Sequence, residues 1–348
     1  MNSFLGAVVD GVSVMGASLD QGAFYPNGRA RATNPASGLQ SGPPWRNLRR
    51  KTGRTAPDMK HQSIEDFAAT PEARGAKGPV AIVMAEDEVE LSGTLERLLA
   101  FGFRPVVLLA PTDLSLDEAL APRIHRISFD VFQENALQKA VNRISAALAE
   151  GVWLHYCYNA EYLFFPFCET RSARDLLAFH TEERRDAMLT YVVDLYAADL
   201  EQHDNAVSVA DAHLDRSGYY ALARKDPARN WEVLERQFDF FGGLRWRFEE
   251  HVPWTRRKID RIALFRTRRG LELRPDFTFD DAEYNTVSCP WHHNLTAALC
   301  SFRTAKALRT NPGSRSAIRT FRWRNSVKFN WHSQQLMDLG LIEPGQWF

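Results

Sequence analysis

Cysteine is scarce in this chain, with four among 348 residues at positions 157, 168, 289 and 300. So few cannot staple a secreted disulfide scaffold, and a core of this size needs no staples, so they read as reduced thiols. Excess charge of either sign is also missing. Lysine plus arginine and aspartate plus glutamate both number 43, for a formal net charge of zero. A general nucleic-acid binder is thereby excluded, because any pull on a polyanion must come from local patches. Long apolar runs are absent too. The opening MNSFLGAVVDGVSVMGASLDQ is broken by Asp10 and Asp20 and has no basic residues before it, so it suits neither a signal peptide nor a spanning helix. A cytoplasmic protein is the expectation. No internal repeat or coiled coil is visible. At 45% hydrophobic and 25% charged residues, the composition excludes a disordered or fibrous protein.

Charge is unevenly placed along the chain. Residues 1–78 carry 10 basic and 6 acidic side chains, and residues 300–348 carry 8 and 2, so the acidic excess lies between them. Basic ends on an acidic body allow peripheral contact with an anionic membrane leaflet, or are solvated tails. The cluster RNLRRKTGR (46–54) sits in a Gly/Pro-rich context without any RNA-binding motif, so no nucleic-acid partner is expected.

Residues 1–77 are rich in Gly, Pro, Ser and Asn, lack a sustained period, and read as a flexible, largely disordered arm. Regular structure begins at GPVAIVMA (78–85), a buried strand, followed by a helix with Leu91, Leu95, Leu98 and Leu99 on one face that stops at Gly102. RPVVLLAP is a second buried strand, RIHRISFD (123–130) a third, ENALQKAVNRISAALAEG a helix, and VWLHYCYNAEYLFFP contains a fourth strand. This alternation predicts an α/β fold with a mostly parallel sheet flanked by helices. DAMLTYVVDLYA (186–197) adds a strand. Residues 200–255 read as an insertion with a helix at NWEVLERQFDFF ended by Gly242 and Gly243. RKIDRIALFRTRRGLELRPDFTF (257–279) alternates about Gly270 as a hairpin does, so the sheet is expected to be mixed. LTAALCSFRTAKALRTNPG reads as a helix ending before Pro312, and 311–348 as an aromatic, basic tail packed on the domain 78–310.

Polar residues emerging from a buried strand at the carboxyl edge of an open α/β sheet are site candidates. Tyr158-Asn159-Ala160-Glu161-Tyr162-Leu163 is such a place. Here the chain resembles the family 2-like glycosyltransferases of the GT-A fold, a bacterial group in which a buried strand ends in Asp-x-Asp-Glu-Phe-Leu. AIVMAEDEVE and LLAFGFRPVVLLA stand where that family has its first strand and the turn into its second. In a sister group within that family, strings very like YPFCETR, GG-RWR, RIDR-LFR, EYNT, CPWHHN and SFRTAKAL recur together; this chain has FPFCETR, GGLRWR, KIDRIALFR, EYNT, CPWHHN and SFRTAKAL in that order, and the resemblance covers residues 79–310.

The resemblance implies a GT-A-like domain that moves a sugar from a nucleotide-sugar donor to an acceptor hydroxyl on a glycan or polysaccharide precursor, by inversion. In that family the two aspartates hold a divalent cation, Mn²⁺ or Mg²⁺, which bridges the donor's phosphates. This chain has Tyr158 and Ala160 in their places and keeps Asn159 and Glu161. Neutral oxygens bind a hard cation weakly. Three explanations stand side by side: metal-free transfer with Arg or Lys neutralising the diphosphate, a metal held by other residues, and a fold that binds without catalysing.

The remaining candidates follow from chemistry and from the resemblance together. Arg171, Arg174, Arg184 and Arg185 could clamp phosphate through bidentate guanidinium contacts. The resemblance suggests His292 or His293, in CPWHHN, as a further metal ligand beside Glu161. FDDAEYN clusters Asp280, Asp281 and Glu283, of which Asp281 or Glu283 is expected to act as the general base. Asp87, Glu88 and Asp113 occupy positions like those where family members contact the base and ribose. Asp194, buried within an apolar strand, needs an arginine or a substrate group to offset its burial. The runner-up function is a non-catalytic relative that binds a glycan or nucleotide.

Overall fold

A computed structural model describes residues 59–287 and 295–347, together with the backbone of 12–15. Its strands are β1 (Val12–Met15), β2 (Lys60–His61), β3 (Val80–Met84), β4 (Val106–Ala110), β5 (His125–Ser128), β6 (Trp153–Tyr158) and β7 (Glu161–Phe164). They continue with β8 (Ala187–Ala197), β9 (Ala212–Asp215), β10 (Tyr219–Asp226), β11 (Glu232–Phe241), β12 (Asp260–Arg266), β13 (Ala297–Ser301) and β14 (Ser326–Lys328). The helices are α1 (Ile64–Ala68), α2 (Pro71–Arg74), α3 (Leu91–Ala100), α4 (Ala136–Ala147), α5 (Ala173–Glu182), α6 (Gly243–Arg247), α7 (Arg303–Thr310), α8 (Pro312–Arg315) and α9 (Ser333–Asp338).

The architecture is α/β, with a large mixed sheet flanked by helices. Its main path runs β14-β9-β8-β12-β6-β3-β4-β5-β2, and β13 inserts between β7 and β8. β2 through β6 pair in parallel, whereas β12 is antiparallel to both β6 and β8. β3 and β4 are buried at every residue, the pattern of strands covered on both faces. The chain goes from β3 outward to β4 and β5, then returns through α4 to β6 on the other side of β3. That reversal is a topological switch point, and the crevice beyond the carboxyl ends of β3 and β6 is where such sheets bind ligands.

Four local expectations are corrected. Residues 59–77, assigned to the arm by composition, contain β2, paired with β5, and the short helices α1 and α2, whose Ile64, Phe67 and Ala73 enter the core. NWEVLERQFDFF is not a helix but β11, antiparallel to β10. Its apolar spacing mimics a helical face, but Asn230 and Trp231 adopt left-handed φ of 54° and 63° and turn the chain back, and the aromatic residues suit a pleated surface. The run 295–313 is not one helix: Ala297–Ser301 is the fully buried strand β13, and the helix α7 begins only at Arg303. A short, wholly apolar run cannot be told from a buried helix by its period. Finally, β12 pairs with β6 and β8 rather than folding back about Gly270, and the 271–279 segment contributes a single bridge, Leu273 to Phe279.

The C-terminal segment packs on the body, with Trp331 against Tyr162 and Phe329 and Trp347 against Phe165 and Phe179. Among the described residues, no helix is long and apolar enough to cross a membrane.

Candidate functional site

At the switch point the backbone leaves β6 through Asn159 and Ala160, the latter at a left-handed φ of 58°, and re-enters the sheet as β7. The Ala160 N–H donates to Thr94 Oγ1 at 3.0 Å, which ties this turn to α3. Asn159 knits β6 to the loop after β3. Its Nδ2 donates to the Asp87 carbonyl (3.1 Å), Asp87 Oδ1 (2.7 Å) and the Val89 carbonyl (2.9 Å), while Oδ1 accepts from the Glu86 N–H.

Glu161 is wholly buried and fully engaged. Its Oε2 accepts from the Tyr158 N–H at 2.9 Å and from Arg261 Nη1 at 2.7 Å, and its Oε1 accepts from Ser301 Oγ at 3.1 Å. Burial pushes its carboxyl up, but the Arg261 charge and these hydrogen bonds outweigh burial and hold it below the usual carboxylate range. Register explains the meeting: Ser301 on β13 lies beside Glu161 on β7 and Asp194 on β8, so all three stand at one level of the sheet. The metal expected on Glu161 does not fit these residues. With Asn159 and Glu161 both saturated, ligation would require ejecting the buried Arg261 guanidinium. The expected histidine ligands, His292 and His293, lie outside the described residues. No cluster of three or more His, Cys, Asp or Glu suited to a metal occurs among the described residues.

A cleft of about 570 Å³ opens above this point. Its lining includes the cations Arg245, Arg256, Lys258, Arg261, Arg303 and Lys306, six against the four carboxylates Glu86, Asp87, Asp260 and Asp276. α7 supplies Arg303 and Lys306 one turn apart. The Arg303 guanidinium lies 3.7 Å from the Tyr158 ring centroid and bonds Glu86, and Lys306 Nζ lies 2.6 Å from Asp87 Oδ2. Arg303 Nε is buried and has no hydrogen-bond partner among the described residues. Phe132 stands 74% exposed on the same lining. Asp276 is half-exposed: Oδ1 accepts from the Thr278 N–H and hydroxyl, and Oδ2 is 3.6 Å from Lys258 Nζ.

Behind the cleft, the Asp194 Oδ2 accepts from the Leu244 N–H at 2.9 Å, and Arg245 Nε is 3.9 Å from Oδ1, so this buried carboxylate does meet an arginine. Burial pushes this carboxyl above the usual carboxylate range despite that charge. The two glycines before Arg245 are sterically required. A Cβ on Gly242 would lie 2.3 Å from the Tyr219 ring, and one on Gly243, at φ +62°, would lie 2.8 Å from Asp194 Oδ2.

Of the residues expected from sequence, Asp87, Asn159 and Glu161 come together here. Glu88 does not line the cleft, because its carboxylate accepts from the Ser115 N–H, and Asp113 lies exposed on the turn after β4. Arg171 is elsewhere, stacked on Trp347 at 4.4 Å, and Arg185 donates to the Val287 carbonyl. The acidic loop is at the opposite edge of the sheet. Asp281 bonds Arg268, Glu283 bonds Arg236, and Tyr284 donates to the Arg266 carbonyl, where β12 meets the start of β6. Neither Asp281 nor Glu283, the bases expected from sequence, lines the cleft. Sequence reading missed Arg245, Arg261 and Arg303 as cleft residues, although they lie in the strings GGLRWR, KIDRIALFR and SFRTAKAL. No protein-family model matches the chain, and a comparison with curated proteins finds no match.

Proposed function

We propose that the chain transfers a sugar from a nucleotide-sugar donor to an acceptor hydroxyl, on a scaffold of GT-A type, in the cleft above β3 and β6. The observation that carries this reading is the convergence of Arg245, Arg261, Arg303 and Lys306 on a cleft at the sheet's switch point. A volume of about 570 Å³ is that of a small-molecule site, and cations suit a ligand with phosphates. Phe132 offers an exposed aromatic face for the nucleobase or sugar.

In this reading Asp276 is the base. The acceptor oxygen attacks the anomeric carbon, the carbon–oxygen bond to the diphosphate breaks with its electron pair leaving on the diphosphate, and the acceptor proton passes to Asp276. Thr278 and Lys258 hold this carboxyl below the usual range against the upward push of burial, so it is ionised at neutral pH. Cations fixed in place before reaction would stabilise the departing charge. A second reading, binding without transfer, draws support from the remoteness of Asp281 and Glu283 from the cleft.

The test is donor turnover: the purified chain is incubated with UDP-, GDP-, CMP- and dTDP-sugars, and release of free nucleotide is followed. Release from one donor, lost in Asp276→Asn, is expected. Binding of a donor with no turnover against any glycan acceptor would favour the second reading.

A further inference from the structure

We infer that Arg261, Arg303 and Lys306 form a metal-free seat for the donor's diphosphate, taking the place that a divalent cation would hold at this strand end. The inference rests on the function proposed above and deepens it. Two independent sets of contacts carry it. The first is the saturation of the strand end: Glu161 accepts from Arg261, Ser301 and the Tyr158 backbone, and Asn159 spends its amide on Asp87, Val89 and Glu86. A hard cation needs available anionic oxygens; those of Glu161 are taken up by Arg261, Ser301 and the Tyr158 backbone, and Asn159 offers only a neutral amide oxygen. The positive charge at this place is instead a guanidinium, 4% exposed and built into the sheet.

The second is the arrangement of α7. Arg303 and Lys306 are three residues apart on one face, and the helix begins directly after Ser301, whose hydroxyl both donates to Glu161 and accepts from the Arg303 N–H. The buried pair and the two lining cations are thus linked through one side chain. Arg303 is flattened on Tyr158 with Nη2 on Glu86 and Nε unpartnered among the described residues, and Lys306 is held by Asp87. Glu86 and Asp87 are carboxylates on a loop, 25% and 42% exposed, standing where anionic oxygens of a ligand can replace them. Guanidinium and ammonium groups in this set offer several donors to phosphate oxygens, and a planar fork can take two at once.

Isothermal titration of the full chain with inorganic pyrophosphate and with UDP, GDP and dTDP, in EDTA and again with Mn²⁺, tests the inference. Binding in EDTA is expected, with Kd changed by no more than about twofold on adding Mn²⁺ and weakened by about tenfold or more in Arg303→Met. Lys306→Met, one turn further along the same helix, serves if the first variant does not fold, and both are checked by their thermal midpoints. Binding that requires Mn²⁺ would overturn the seat and leave the proposed function standing. Pyrophosphate binding without any nucleotide would uphold the seat and overturn the nucleotide-sugar reading. Binding in EDTA that neither variant weakens would overturn the assignment to these residues, and no binding under any condition would overturn both.

Discussion

Arg261 and Glu161 form an ion pair at 2.7 Å in which neither side chain is more than 4% exposed. It joins β12 to the turn between β6 and β7, two elements 100 residues apart, at the point where the candidate cleft begins. Breaking a buried pair by removing one charge leaves the other uncompensated, so Glu161→Gln should lower unfolding free energy by about 3–5 kcal/mol. Replacing both, as Glu161→Gln with Arg261→Met, should cost less than either single change. The sign with pH follows from the carboxyl being depressed: its stabilisation is present above about 4.5 and lost as pH falls through the lower folded value. Urea denaturation of the three variants between pH 4 and pH 8 checks both statements.

Gly243 is a position where only glycine fits. A Cβ there would crowd Asp194 Oδ2 at 2.8 Å on a backbone already at φ +62°. Gly243→Ala should cost roughly 2 kcal/mol or more and displace Arg245 from the cleft wall. Thermal unfolding measures the first effect and loss of nucleotide affinity the second.

Glu343 is raised from 4.5 to about 7 by burial. The folded state then holds a proton that the unfolded state has released, so stability falls as pH rises from about 4.5 to about 7 and stays lower above that. Glu343→Gln should therefore stabilise the protein at pH 8, by up to roughly 3 kcal/mol, and leave it unchanged at pH 4. A larger gain at pH 4 than at pH 8 would contradict this account.

Asp276 and Phe132 separate chemistry from binding. Asp276→Asn should lower kcat by about a hundredfold or more with little change in donor affinity, as expected for loss of a general base. Phe132→Ala should raise KM for the donor by about tenfold with kcat nearly intact, since stacking on an exposed ring contributes roughly 1–3 kcal/mol. Steady-state kinetics on the two variants distinguish these patterns.

The parallel core was legible because β3 through β6 are short apolar runs divided by amphipathic helices, and each such run carries its own signal. Two other strands were not. β13 depends on β7, a partner distant in sequence, and nothing within LTAALCSF states that β7 lies alongside, while the apolar spacing of β11, paired with the neighbouring β10, fits a helical face as well. The site divides the same way. Asp87, Asn159 and Glu161 follow strand ends that the sequence marks, and the structure joins them. Arg261 and Arg303 sit in runs that read as solvated strand and helix residues, and only the register of β12 and β13 brings them to the cleft. Asp281 and Glu283 have the chemistry of a base, yet after Asp276 the chain leaves the cleft and reaches the start of β6 before they occur.

The most direct test of the central claim is a crystal structure of the chain with a nucleoside diphosphate bound in the presence of EDTA. The account predicts the diphosphate between Arg261, Arg303 and Lys306, with Glu86 and Asp87 turned aside and the base toward Phe132. A diphosphate bound anywhere else on the protein, with Arg303 still on Glu86 and Lys306 still on Asp87, would contradict it.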